Sequence, residues 1–190
     1  MGTSASSSSN EDIATLIYHS GVSVDMKYSI VGSGASYEAA RWAFATYFNY
    51  DPLKIAFSQK KDYDDIQWSE LLKSELFAFR PVLYGGDNNS GGHAWVCDGW
   101  QWTIGERFHM NWGWSGMYDG WFLIEQLNTW AGNYNTNNVA ITGIKPANPN
   151  LVVRITNLMP NQLIACNSAV AIDCSVVKGA PAAINLFIDN

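Results

Sequence analysis

One histidine of the sequence stands where a general base could meet a substrate. His93 follows Gly91 and Gly92, and it begins an apolar run that is typical of a β-strand. Glycines at a strand start leave the backbone open, so a second chain or a ligand can approach closely. The pattern therefore admits a catalytic base, although a single histidine in a strand is more often structural.

A second segment carries groups that could orient this imidazole. Asn111, Trp112 and Trp114 follow after a turn, and a hairpin of that length brings His93 near Asn111 and Trp112 on neighbouring strands. The chemistry that this set predicts is an imidazole base, oriented by an amide and shielded by an indole. Such a base still requires a nucleophile.

The cysteines offer no nucleophile at this position. Cys97 lies four residues after His93 on the same strand, which separates the two by about 13 Å and exceeds the reach of proton transfer. Cys166 and Cys174 lie much later in a β-like segment. They could pair across a hairpin, but two unpaired core thiols fit this setting better.

A competing histidine has a different setting. His109 lies between Phe108 and Met110, and these apolar neighbours predict a buried core or second-layer residue. The three histidines of the chain show no metal-ligand spacing, so we assign no metal and no other cofactor.

Composition and charge exclude several classes of partner. The chain has 190 residues, of which 47% are hydrophobic and 15% charged, and this is apolar enough to bury a core. A formal net charge of -6 without a basic stripe argues against nucleic-acid binding. No apolar run approaches the ~20 residues that span a membrane, and no signal peptide is recognisable. Seven of the nine tryptophans lie between Trp95 and Trp130, a concentration that predicts a groove or a dense core.

The first part of the chain has helical patterns. Apolar spacing and capping residues predict helices over about residues 9–21, 36–47 and 66–77, with a short half-buried strand at 22–26 between the first two. After Pro81 the sequence pattern changes to short β-type runs separated by glycine, at residues 82–84, 93–98, 107–112, 120–124 and 139–144. Helices followed by an antiparallel sheet or small barrel predict an α+β fold.

A Pro- and Asn-rich linker at residues 146–150 separates these elements from a last β-like part. Strand patterns recur there at residues 151–155, 169–177 and 186–188, too few for a stable sandwich. We therefore predict two domains, at residues 1–146 and 147–190, the second being the first strands of a truncated β-sandwich. A C-terminal hairpin that packs on the first domain is the alternative.

Several motifs in this order resemble the streptopain family of papain-like cysteine peptidases. They are GVSVDMKY at residues 21–28, GHAWV at 92–96, NWGWSG at 111–116 and DGWF at 119–122. The turn at 33–35, the helix that contains Trp68 and the segment 80–84 also fall where that family has them. The resemblance covers residues 10–146 and implies part of a papain-like fold, the part that bears the catalytic base.

The resemblance also implies roles for the candidate residues. His93 matches the family's catalytic histidine, Asn111 and Trp112 its asparagine–tryptophan step, and Trp114 the tryptophan that follows. In papain an asparagine orients the imidazole and a tryptophan shields that contact, whereas in the streptopain family a tryptophan is thought to take over part of the orientation. Which of the three touches His93 stays open at this point.

The family's nucleophilic cysteine opens a helix upstream of the strand that corresponds to 21–28. The resemblance therefore implies that the nucleophile precedes this chain and that the chain alone is inactive. It implies as partners a protein or peptide substrate and the missing N-terminal half of the same peptidase, without a cofactor, in a secreted or cell-surface bacterial protein. The whole enzyme would be a cysteine endopeptidase that works by acyl transfer.

Two other functions fit the residues. The chain could be a non-catalytic module that has lost the nucleophile and binds peptide or carbohydrate in its aromatic groove, or a structural α+β domain whose histidine belongs to the core. A gene that continues upstream in frame into a cysteine-bearing helix would favour the peptidase.

Overall fold

The computed structural model describes residues 7–147, 153–155 and 174–176. The chain divides into two compact units, Met1–Ala147 and Asn148–Asn190. The first unit contains three α-helices and a six-stranded antiparallel sheet, which confirms the α+β fold. No helix of the described residues combines the length and hydrophobicity that a membrane crossing needs.

Two of the three helices begin at a capping side chain. Helix α1 is Ser7–Ser23, α2 is Tyr37–Tyr47 and α3 is Asp65–Phe77. The Ser36 hydroxyl accepts a hydrogen bond from the Ala39 N–H at the start of α2. Asp64 and Gln67 form a reciprocal capping box at the start of α3. The predicted second and third helices are thus confirmed.

The sheet is open, with strand order β1-β8-β2-β3-β4-β5, and neighbouring strands are antiparallel. These strands are Ala56–Gln59 (β1), Val82–Asn88 (β2), Gly91–Thr103 (β3), Gly105–Asn111 (β4), Gly120–Phe122 (β5) and Thr136–Thr142 (β8). A small separate hairpin consists of β6, Asn128–Thr129, and β7, Gly132–Asn133. The five strands predicted after Pro81 are present, and β1 is an additional edge strand that its short, irregular pattern did not reveal.

The core of the first unit lies between α3 and the sheet. Trp68 and Leu72 of α3 are fully buried, as are Tyr84 of β2 and Phe108 of β4. The Trp68 Nε1–H donates to the Tyr84 hydroxyl over 3.0 Å, which satisfies both polar atoms inside the core. This core fixes β2, β3 and β4, the strands that present the candidate site.

The strand predicted at residues 22–26 is wrong. Helix α1 runs past Gly21 to Ser23, and the Met26 N–H bonds the Gly21 carbonyl to close the turn that follows. Asp25 in that turn has a φ of 50°, which an extended strand does not allow. The only β-type pairing of this region of the first unit is one isolated bridge between Lys27 and Gly34.

In the second unit the structure describes one antiparallel pair, β9, Val153–Ile155, with β10, Cys174–Val176. The strand predicted at 186–188 and the thiol of Cys166 lie outside the described residues. The sandwich expected there remains a prediction.

Candidate active site

Strand β3 presents His93 at its open end. In the register of the sheet His93 lies opposite Gly86 of β2, whereas β4 pairs with β3 only from Val96, which lies opposite Asn111. Gly91 and Gly92 ahead of the histidine are exposed, and the histidine itself is half-buried. His93 therefore combines a fixed backbone with a side chain that a second molecule can reach.

One hydrogen bond orients the imidazole of His93. Its Nε2 lies 2.9 Å from the carbonyl oxygen of Trp112. A carbonyl oxygen can only accept, so Nε2 must carry the proton. In the neutral ring the other nitrogen, Nδ1, is then the unprotonated atom that can act as a base.

Aromatic rings hold the imidazole in the plane that this bond requires. The ring of Trp114 stacks on it with centroids 4.7 Å apart and planes 21° apart. Trp112 lies nearly parallel to it at 11°, with centroids 6.3 Å apart, and Trp95 and Tyr134 complete the surroundings. Because three of these four rings are buried, the imidazole has little freedom to turn.

The side chain of Asn111 stabilises the turn that follows β4. Its Oδ1 accepts a hydrogen bond from the Gly113 N–H over 3.0 Å. At the other end of the same loop, Asp119 Oδ1 accepts from the Trp112 N–H over 2.8 Å. The structure thus brings His93 together with Trp112 and Trp114, and Asn111 shapes the loop that carries both tryptophans.

Asp119 was not singled out from the sequence as a site residue. It lies in the DGWF motif, but nothing in the composition of that motif predicts a bond to a main-chain N–H seven residues earlier. Only the fold reveals this contact.

Cys97 lies on the same face of β3 as His93 and Trp95, as the alternation of a strand predicts. Its side chain is fully buried in the core. Burial, and to a smaller degree the charge of Asp98, raise the pKa of this thiol well above its usual range. A thiol that stays protonated at neutral pH is a poor nucleophile, so Cys97 is a core residue.

His109 is not the buried residue that its neighbours predicted. Phe108 and Met110 point into the core, and the alternation of β4 therefore turns His109 to the opposite face, where its side chain is 30% exposed. Its Nδ1 lies 2.6 Å from Asp98 Oδ1, and the ring of Trp121 meets it edge to face. The sheet separates it from His93.

The model of the peptidase C10 family matches residues 1–122. The chain belongs to the peptidase C10 family.

Individual C10 relatives agree with the match. Streptopain of Streptococcus pyogenes is 34% identical over 142 residues, which are 70% of this chain and 35% of that protein. The thiol protease/hemagglutinin PrtT of Porphyromonas gingivalis is 32% identical over 142 residues, 71% of this chain and 16% of that protein. The chain thus spans about a third or less of the length of these relatives.

Solved structures show the same fold. Active wild-type interpain A, a cysteine protease of Prevotella intermedia, superposes with a TM-score of 0.69 and 28% identity over 76% of this chain and 60% of that one. A prointerpain A fragment with a cysteine-to-alanine substitution gives a TM-score of 0.65 at 28% identity, over 76% of this chain and 45% of that one. The papain-like fold implied by the motifs is confirmed.

Within the C10 fold, described residues 10–147 contain no cluster of three or more His, Cys, Asp or Glu side chains placed to hold a metal ion. The candidate site of this C10 member consists of His93, the loop from Asn111 to Asp119 and the surrounding aromatic rings.

Proposed function

We propose that the chain carries the base-bearing part of a cysteine endopeptidase, with His93 as the catalytic base. The observation that supports this most is the bond from His93 Nε2 to the Trp112 carbonyl, which leaves Nδ1 as the basic atom. In this proposal Trp112 orients the ring through its main chain, and Trp114 does so by stacking. Asn111 contributes through the shape of the loop.

The reaction is acyl transfer to a cysteine. His93 Nδ1 takes the proton of the cysteine thiol, and the resulting thiolate attacks the carbonyl carbon of the scissile peptide. The imidazolium then returns this proton to the leaving amine as the C–N bond breaks. Water attacks the thioester next and gives a proton to Nδ1. The C–S bond breaks, which releases the acid, and the departing thiolate takes the proton back from the imidazolium.

The nucleophile comes from polypeptide outside these 190 residues. Cys97 is the one cysteine of residues 10–147, and its burial and raised pKa make it unsuitable. It follows that the chain alone does not cleave peptides.

A further part of the same peptidase, N-terminal to these residues, binds the first unit. Large apolar side chains between residues 16 and 31, which we call the N-terminal apolar segment, are exposed: Leu16, Ile17, Tyr18, Val22, Tyr28, Ile30 and Val31. Ile30 and Val31 are more than 90% exposed, an unfavourable state unless another surface covers them.

The substrate is a protein or peptide chain, and the enzyme works outside the cell or at its surface. Residues 147–190 begin a second β domain.

Two histidine variants of the full peptidase that contains these residues test this function. His93→Ala removes the base, and turnover of casein should fall by about 10²- to 10⁴-fold. His109→Ala is the matched control, because its side chain lies on the other face of the sheet and its loss should leave turnover nearly unchanged. If His93→Ala keeps its activity while His109→Ala loses it, the base is assigned to the wrong histidine.

A further inference from the structure

Helix α2 reaches the candidate base through its first residue. The cap of Ser36 fixes the start of α2, and the side chain of Tyr37 extends from there across β2. Its hydroxyl donates a hydrogen bond to the main-chain carbonyl of His93 over 3.1 Å. A residue 56 positions earlier in the chain thus holds the backbone of the residue proposed as the base.

The fold makes room for this tyrosine at Gly85. Gly85 is a buried residue of β2, and in the register of the sheet it lies opposite Ala94, next to His93. A Cβ atom at Gly85 would overlap the hydroxyl and ring of Tyr37. Its φ lies outside the left-handed region, so the glycine is required for space and not for conformation. The ring of Phe57 in β1 stacks on Tyr37 at 6.1 Å.

The backbone of His93 needs such an anchor because the sheet holds it on one side only. Among the described strands, β2 pairs with β3 at His93, whereas β4 pairs with β3 only from Val96 onwards. The end of β3 would therefore be free to shift, and a shift of the backbone moves the imidazole with it.

The hydroxyl of Tyr37 stays a donor throughout the range in which a histidine titrates. Burial, and next the charge of Asp87, raise the pKa of Tyr37 to about 12. The His93 carbonyl can only accept, so the bond needs the protonated hydroxyl and keeps it at any pH at which the enzyme would work.

We propose that Tyr37 is a positioning residue for His93. It fixes the main chain of His93, while the Trp112 carbonyl fixes the ring, and the two bonds together set the position of Nδ1. This inference rests on the proposed function of His93 as the base. Loss of the Tyr37 hydroxyl should misplace the base, which affects the chemical step more than substrate binding.

The test uses two tyrosine-to-phenylalanine variants. Tyr37→Phe keeps the ring that fills the space above Gly85 and removes only the hydroxyl. Tyr63→Phe is the matched control: it removes a hydroxyl that pairs with the Ser58 hydroxyl at 3.2 Å, away from His93. In the full peptidase we expect kcat to fall on the order of tenfold for Tyr37→Phe, with KM within about twofold, and neither to change for Tyr63→Phe.

A second readout needs no activity. In the 190-residue chain, the ¹⁵N NMR signal of the His93 Nε2–H reports its bond to Trp112. Tyr37→Phe should shift this signal and speed its exchange with solvent, whereas Tyr63→Phe should leave it unchanged. An unchanged kcat together with an unchanged His93 signal in Tyr37→Phe would overturn the proposal, as would equal effects of the two variants.

The two proposals can fail separately. If Tyr37→Phe shifts the His93 signal but His93→Ala retains turnover, Tyr37 positions His93 and the assignment of the base is wrong. If His93→Ala is inactive while Tyr37→Phe alters neither the His93 signal nor kcat, His93 is supported as the base and the positioning role of Tyr37 is refuted.

Discussion

The imidazole of His93 is oriented by the main chain of Trp112, whose carbonyl oxygen lies 2.9 Å from Nε2. Substitution of the Trp112 side chain leaves this acceptor in place. The main-chain bond and the stacked ring of Trp114 are therefore separable by mutation, although the two tryptophans are only two residues apart.

The first prediction compares these tryptophans in the full peptidase. Trp114→Ala removes the ring that stacks on His93, so kcat should fall at least about tenfold, with little loss of stability because Trp114 is only half-buried. Trp112→Phe should keep turnover within about threefold, since the carbonyl remains and the buried Trp112 Nε1–H has no partner among the described residues.

Thermal midpoints accompany the turnover measurements. Trp112→Ala serves as the structural control: it empties a fully buried site and should cost about 3–5 kcal/mol of unfolding free energy. A strong loss of kcat in a stable Trp112→Phe protein would mean that the indole itself orients His93.

The second prediction concerns Asp119, which holds the start of the same loop through the Trp112 N–H. Asp119→Ala leaves that N–H without its acceptor, so the loop and the Trp112 carbonyl should shift and kcat should fall about fivefold or more. Asp119→Asn retains an acceptor oxygen and should recover part of the rate. Glu125→Ala, an exposed carboxylate outside the loop, is the control. Equal rates for all three variants would contradict the role of Asp119.

Local sequence signals predicted the scaffold of the site better than its contacts. The apolar repeat of Trp68, Leu72 and Leu76 marked α3, and glycine-bounded apolar runs marked β3 and β4. A hairpin was expected to bring His93 near Asn111 and Trp112. The actual register sets Asn111 opposite Val96, and the loop beyond β4 returns Trp112 to His93.

The remaining contacts depend on long-range packing or on main-chain atoms, which no pattern of side chains encodes. The bond of Tyr37 to the His93 carbonyl spans 56 residues, and the orienting group of Trp112 is a carbonyl that every residue possesses. The burial of His109 was predicted wrongly for another reason. Residues next to each other in a strand point to opposite faces of the sheet, so the apolar Phe108 and Met110 do not surround His109.

The third prediction follows from the raised pKa of the buried Cys97 thiol. In the unfolded chain a cysteine thiol loses its proton near pH 8.5, whereas in the folded chain the Cys97 thiol stays protonated to higher pH. The unfolded state therefore binds fewer protons above pH ~8.5, and the unfolding free energy should fall as pH rises, by at most about 1.4 kcal/mol per pH unit. Below that pH the thiol is protonated in both states, so it does not change the unfolding free energy with pH.

Urea unfolding of the 190-residue chain between pH 7 and 10 measures this slope. Cys97→Ala removes this thiol and should reduce the pH dependence of the unfolding free energy in that interval. Tyrosines with raised pKa values, such as Tyr37, contribute only above pH ~10 and so do not mask the effect. Iodoacetamide should label Cys97 slowly in the folded chain and faster after unfolding. Rapid labelling of folded Cys97 near neutral pH would contradict the assignment and reopen this thiol as a nucleophile.

The fourth prediction concerns the N-terminal apolar segment. If another part of the peptidase covers Ile30 and Val31, the 190-residue chain alone leaves them in water, and it should bind an apolar dye and associate with rising concentration. The double variant Ile30→Lys with Val31→Lys should reduce both effects without lowering the thermal midpoint, because the two side chains lie outside the core.

Ile104→Lys is the matched control, because Ile104 is equally exposed at the turn between β3 and β4. In the full peptidase the double variant should weaken the packing of the first unit on the remainder, which is measured as faster proteolysis and a lower thermal midpoint. Ile104→Lys should change neither, because its side chain is not proposed to be covered. Two results would show that this segment faces solvent in the whole enzyme. One is a 190-residue chain that stays monomeric and binds no apolar dye; the other is a full peptidase in which the double variant has no larger effect than Ile104→Lys.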